Sequence, residues 1–162
     1  NGTVGGTSVV KRSINKQKGN SGLQNGYAVS PTPGLFFFMA TDGTHGTELF
    51  ISQGTEGTTS MVKDINPGPS NSYPKYFAAA GSVTYFSADD GTNGRELWVT
   101  NGSASGTSML KDLYPVGSSG SDPNYLVFNS VSSKLYFTAS VGSTGRELWV
   151  SNGTAGGTSM LK

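Results

Sequence analysis

Apolar residues along this chain fall in short clusters separated by runs of Gly, Ser, Thr, Asn and Pro. Within the clusters apolar side chains go to both faces. In Val83-Thr84-Tyr85-Phe86-Ser87-Ala88, consecutive Tyr85 and Phe86 must point to opposite sides of a strand. No stretch carries a 3.6-residue apolar period with helix caps. The pattern therefore predicts strands joined by turns. Its clearest stretch reads as four strands: Tyr73 to Ala79, a Gly81-Ser82 turn, Val83 to Ala88, a loop at Asp90-Gly91-Thr92-Asn93-Gly94, Arg95 to Thr100, an Asn101-Gly102 turn, and Thr107 to Leu113.

That unit recurs. Thr47-Glu48-Leu49-Phe50-Ile51-Ser52, Arg95-Glu96-Leu97-Trp98-Val99-Thr100 and Arg146-Glu147-Leu148-Trp149-Val150-Ser151 are versions of one segment, with the glutamates 48 and 51 positions apart. Leu135 to Ala139 answers Thr84 to Ala88, and Thr158 to Lys162 answers Thr107 to Lys111. The first unit is the most diverged, and its opening strand around Tyr27 to Val29 is weak. Long Pro/Gly/Ser connections separate the units, at 65–72 and 114–123. Short turns inside a four-stranded unit and a long crossing between units describe the blades of a β-propeller, with a flat repeat array or a sandwich as alternatives. The expected fold is all-β: a β-propeller-like array of four-stranded antiparallel blades at 23–66, 72–114 and 123–162, in one continuous repeat domain.

One strand does not fit this count. Asn1 to Lys11 matches Asn152 to Lys162 almost residue for residue, so residues 1–12 read as an orphan last strand without its own first three strands. Either the rest of its blade lies upstream in a longer chain, or the orphan pairs with the sheet edge of another copy. Three blades are also too few to close a ring. The chain opens on Asn1 with no signal-peptide pattern, which reads as a mature or excised segment.

Composition narrows the function classes. Glycine is 24 of 162 residues and only 34% of the chain is hydrophobic, but 8 Phe, 7 Tyr and 2 Trp argue for a packed fold rather than disorder. A net charge of +1 gives no field to steer nucleic acid, and the densest basic stretch, Lys11, Arg12, Lys16 and Lys18, reads as a solvated loop. No apolar run is long enough for a helical membrane span. With no cysteine there is no disulfide frame and no thiolate metal site.

Candidate chemistry is sparse. Phe50, Trp98 and Trp149 share one repeat position and are expected to pack between blades. The recurring Glu48, Glu96 and Glu147 and the recurring Lys11, Lys63, Lys111 and Lys162 suggest ion pairs between strands that fix register. Glycosidase carboxylates would have to converge in one pocket, whereas repetition distributes these acids over separate blades. The single histidine, His45, aligns with Asn93 and Thr144 and reads as a turn residue. Asp42, Asp89 and Asp90 lie in glycine-rich loops and are weak candidates for a single-loop calcium site, because the third loop has Ser140 and Val141 there. No cofactor is expected otherwise, and no catalytic constellation can be assembled. Asn1-Gly2-Thr3, Asn101-Gly102-Ser103 and Asn152-Gly153-Thr154 all satisfy the N-glycosylation pattern, making Asn1, Asn101 and Asn152 acceptor candidates, although Asn-Gly is also a favoured hairpin turn.

Glu96-Leu97-Trp98-Val99-Thr100-Asn101-Gly102-Ser103 and Glu147 to Thr154, with Asp89 to Arg95 and Lys63 to Gly68, resemble the ELWxxDGT repeat proteins. The likeness covers roughly three-quarters of the chain. It implies a propeller-like fold in an extracellular or cell-surface setting and implies no enzymatic activity. The family's turn Asp is Asn at 101 and 152 and Gln at 53, and the Asn replacements create the acceptor sites. The resulting expectation is a non-enzymatic extracellular module: a glycosylated subunit or segment of a surface polymer or filament, assembled by strand pairing with other copies of itself or with neighbouring blades of a longer chain. The alternative is a carbohydrate-binding propeller using exposed Tyr27, Tyr73 or Tyr125. No nucleic-acid partner is expected.

Overall fold

The structure, a computed structural model, describes residues 27–29 by backbone alone, and residues 34–143 and 145–161 in full. The orphan-strand assignment at 1–12 and the acceptor candidate Asn1 lie outside the described residues.

The described chain is all-β, with one short 3-10 turn at Glu56–Thr58. Three antiparallel sheets follow one another. The first holds β1 (Tyr27–Val29), β2 (Phe36–Thr41), β3 (Thr47–Ser52) and β4 (Ser60–Lys63). The second holds β5 (Lys75–Ala80), β6 (Val83–Asp89), β7 (Arg95–Thr100) and β8 (Ser108–Lys111). The third holds β9 (Asn124–Asn129), β10 (Lys134–Ser140), β11 (Arg146–Ser151) and β12 (Thr158–Met160). Each is a meander of sequential neighbours, and among the described residues no strand pairing joins one sheet to the next. The first strands lie side by side, β1 next to β5 and β5 next to β9.

The central pairs share one register. Phe38 faces Phe50, Phe86 faces Trp98 and Phe137 faces Trp149. In the second sheet the alternation sends Phe86, Ala88 and Trp98 toward Phe37, Leu49 and Val62 of the first sheet. It sends Tyr85, Leu97 and Ala78 toward Phe137, Leu135 and Trp149 of the third. The core is therefore two layers between three sheets, with the middle sheet buried on both faces. Burying a side chain of this size contributes roughly 1.5–3 kcal/mol, so these two interfaces hold the three sheets together.

In the second unit two strand boundaries differ by two residues from the pattern expected, and three others by one. The first strand starts at Lys75 because Tyr73 holds a left-handed φ of 44° and Pro74 donates no amide hydrogen. The last strand stops at Lys111 because the following backbone leaves the ladder to meet the side chain of Glu96.

Candidate functional site

The repeated glutamate closes each connection between sheets. Glu48 has no exposed surface, although a lone buried carboxylate is costly. Its oxygens accept the Ile65 amide at 2.9 Å, the Ser72 amide at 2.9 Å and the Ser72 hydroxyl at 2.6 Å. Glu96 repeats this with the Leu113 amide at 3.0 Å, the Ser121 amide at 2.7 Å and the Ser121 hydroxyl at 2.6 Å. Each carboxylate pins both ends of the crossing that leads to the next sheet. Burial pushes the Glu48 carboxyl up to about 7 despite these donors, and burial raises Glu96 as well. The expected Glu–Lys ion pairs are not what the structure shows for these two residues. Their carboxylates are turned inward to backbone amides and serine hydroxyls, and among the described residues no lysine pairs with them.

The recurring lysines bridge sheets instead. Lys63 Nζ donates to the Thr107 carbonyl at 2.8 Å, and Lys111 Nζ donates to the Thr158 carbonyl at 2.7 Å. In both cases the last strand of one sheet is tied to the start of the last strand of the next. In the second and third sheets the aromatic position fills the same joint, facing the preceding sheet, whereas Phe50 lies on the face of the first sheet opposite Leu49. Trp98 lies in the cluster with Phe37 and Leu49, and Trp149 stacks on Phe137 with a centroid distance of 6.3 Å. Phe50 is buried beside Phe38, its ring 6.0 Å away. Among the described residues neither indole N–H finds an acceptor, so the position uses the ring's bulk, and Phe50 serves without an N–H at all.

The turn after the aromatic strand completes the joint. It is longer than a two-residue hairpin, spanning 101–107 and 152–157, with Thr107 and Thr158 amides closing on Ala104 and Ala155. Gly153 adopts a φ of 90°, and a Cβ there would stand 2.6 Å from the Tyr85 hydroxyl of the preceding sheet. Exposed Asn101 and Asn152 cap these turns. Asn101 Oδ1 accepts the Ser103 amide and hydroxyl at 3.0 and 2.8 Å, and Asn152 does the same with Thr154. The pattern's Ser/Thr is thus fixed beside the Asn it follows, and each amide lies against a glycine, Gly106 or Gly157.

The third sheet carries the same joint residues on an uncovered face. Leu97 is fully buried between sheets, but its counterpart Leu148 is 44% exposed. Val127 replaces Ala78 and is 61% exposed, and Leu161 replaces half-buried Leu110 and is 52% exposed.

The aspartate loops explain themselves locally. Asp42 accepts the Thr44 and His45 amides, and its second oxygen lies 2.7 Å from His45 Nδ1. Burial alone would raise its pKa. The His45 amide and ring and the Thr44 amide outweigh that and bring it down to about 2, while Asp42 raises His45. Asp90 makes the same turn with Asn93 in the role of His45. Asp89 accepts the Gly91 amide. Among the described residues no three His, Asp or Glu side chains converge as a metal site would require.

One cluster was not foreseen. Arg95 holds the Tyr73 carbonyl at 2.8 Å, and Arg146 holds the Asp122 carbonyl at 2.8 Å. The Asp122 carboxylate sits 2.9 Å from Arg146 and 3.8 Å from Arg95. Lys75 Nζ lies 5.0 Å over the Tyr76 ring, which is 6.4 Å from Tyr125. Tyr73, Tyr76, Asp122 and Tyr125 all have left-handed φ between 44° and 57°. Arg in two of three repeats, and a lysine with no repeat partner, were the available sequence signals.

No family model and no curated protein matches this chain. Among solved structures, a chain from the crystal structure of a nidogen/laminin complex matches at 13% identity with a TM-score of 0.53, over 81% of this chain and 44% of that one. The chain therefore spans less than half the length of that neighbour, and the likeness is one of fold. Among the described residues no helix is long and apolar enough to cross a membrane.

Proposed function

We propose that this chain is a non-enzymatic structural module of an extracellular assembly, in which successive four-stranded sheets stack in a propeller-like array through one repeated joint. The observation carrying this is the uncovered face of the third sheet: Leu148, Val127 and Leu161 stand where Leu97, Ala78 and Leu110 receive the next sheet. The occupant of that face is a further sheet of the same repeat, from another copy or from elsewhere in a longer chain. The adjacency of β1, β5 and β9 supports a common inner edge for the array. The ELWxxDGT-like motifs and the acceptor turns at Asn101 and Asn152 support the extracellular setting and a glycosylated surface. The orphan strand at 1–12 would add edge pairing to face stacking. Intact mass and electron microscopy of native material test the reading. It expects particles heavier than one 16.8 kDa chain, with added sugar mass. Bare monomers would contradict it.

A further inference from the structure

We propose that the end of the second and third sheets around Lys75, Arg95 and Arg146 is a binding site for an acidic glycan, one bearing carboxylate or sulfate groups. This goes beyond the assembly reading and uses a different surface. Three cations surround a single carboxylate, Asp122, whose oxygens are spent on Arg146 and Arg95. Lys75 is left over. Among the described residues its ammonium makes no hydrogen bond and no direct ion pair; it lies 5.0 Å over the Tyr76 ring and feels the Asp122 carboxylate only at longer range. Asp89 also acts on Arg95, so three cations stand against two carboxylates, and the half-buried ammonium beside two guanidinium groups leaves an excess of one positive charge to be met by an anion.

The aromatic surroundings select the body of that anion. Tyr125 is 73% exposed and Tyr73 is 50% exposed; Tyr73 lends its carbonyl to Arg95, and the Tyr125 ring lies 6.4 Å from the Tyr76 ring under Lys75. Exposed rings next to charge suit a sugar, which stacks its apolar face on a ring while its acidic group meets the cations. The site is also where the repeats differ. Thr47 replaces the arginine in the first sheet, and Asn124 replaces Lys75 in the third, its side chain accepting the Thr138 hydroxyl at 2.7 Å. Stacking of sheets therefore does not require this cluster. Four non-glycine residues here have left-handed backbone, two of them held by arginine, Tyr73 by Arg95 and Asp122 by Arg146, and such strain concentrates at binding sites.

Affinity electrophoresis in gels containing dextran sulfate, polygalacturonate or neutral dextran tests the site. Retardation by the two acidic polymers and not by neutral dextran is expected. Lys75→Met, which keeps the stem over Tyr76, and Tyr125→Ala should each weaken binding about tenfold, while Lys75→Arg retains it. Lys134→Met removes the same charge from the opposite end of the third sheet and should bind as the native chain does. Thermal melts of each variant separate loss of binding from loss of fold, and sedimentation shows that assembly is unaffected. Absence of retardation, equal loss in Lys134→Met, or equal retardation by poly-glutamate would overturn the proposal.

Discussion

Ser121 donates twice to the carboxylate of Glu96, its amide to one oxygen at 2.7 Å and its hydroxyl to the other at 2.6 Å. Ser72 grips Glu48 in the same way one repeat earlier. The glutamate that marks the repeat in the sequence is thus the buried anchor of the inter-sheet crossing. Removing the hydroxyl alone leaves two amide donors in place. Ser121→Ala should cost about 1–3 kcal/mol. Glu96→Ala strands the Leu113 and Ser121 amides together and should cost more. Urea denaturation of both variants checks the order; equal and negligible losses would remove the anchor role.

The pH dependence follows from the direction of the shifts. Glu48 is raised from its ordinary 4.5 to about 7, so between those values the folded chain holds a proton that the unfolded chain has released. Stability is then full below about pH 4.5 and declines as pH rises through 7, by at most about 1.4 kcal/mol per pH unit for such a group. Glu96 acts with the same sign. Asp42 acts oppositely: lowered to about 2, its contribution is present above 3.8 and fades as pH falls toward 2. Thermal melts should show greatest stability near about pH 4–5, and Glu48→Gln should flatten the alkaline limb. A melting temperature that rises between pH 5 and pH 8 would show that the amide donors keep both glutamates ionised.

The lysine bridges predict local effects. Lys111→Met keeps the apolar stem and removes the bond to the Thr158 carbonyl, at a cost of about 1 kcal/mol. Hydrogen exchange should quicken in β12 and the 152–157 turn while β2 and β3 stay protected. Uniform loosening of all three sheets would place the lysine's role elsewhere.

Two neighbouring glycines should behave differently. Gly153 combines a φ of 90° with the Tyr85 hydroxyl where a Cβ would go, whereas Gly156 has open space and an ordinary φ. Gly153→Ala should destabilise by more than about 1 kcal/mol, and Gly156→Ala should be neutral or stabilise by up to about 1 kcal/mol. Chemical denaturation of the pair distinguishes a turn that packs on the preceding sheet from one that is merely exposed.

Strand positions were legible because the alternation of Tyr85 and Phe86 serves two faces, and each face is buried against a different sheet. Trp98 and Trp149 share one repeat position, and each packs against the sheet before its own. The partners of Glu48 and Glu96 were not legible. They are backbone amides, which carry no residue signature, and the one side-chain clue, Ser72 and Ser121, sits among many serines. Charge alone suggested lysine, and burial decided against it. The Lys75 cluster was hidden for another reason: it assembles from β5, β7, β11 and the crossing before β9, segments separated along the chain, with left-handed residues at 73, 76, 122 and 125.

The face of the third sheet carries the central claim, and Leu148 is its midpoint. Sedimentation velocity of the 162-residue chain and of Leu148→Asp, across a range of concentrations, tests it most directly. The native chain should associate in a concentration-dependent way, and Leu148→Asp should stay monomeric with an unchanged melting temperature. A native chain that remains monomeric at every concentration, or association that survives Leu148→Asp undiminished, would contradict it.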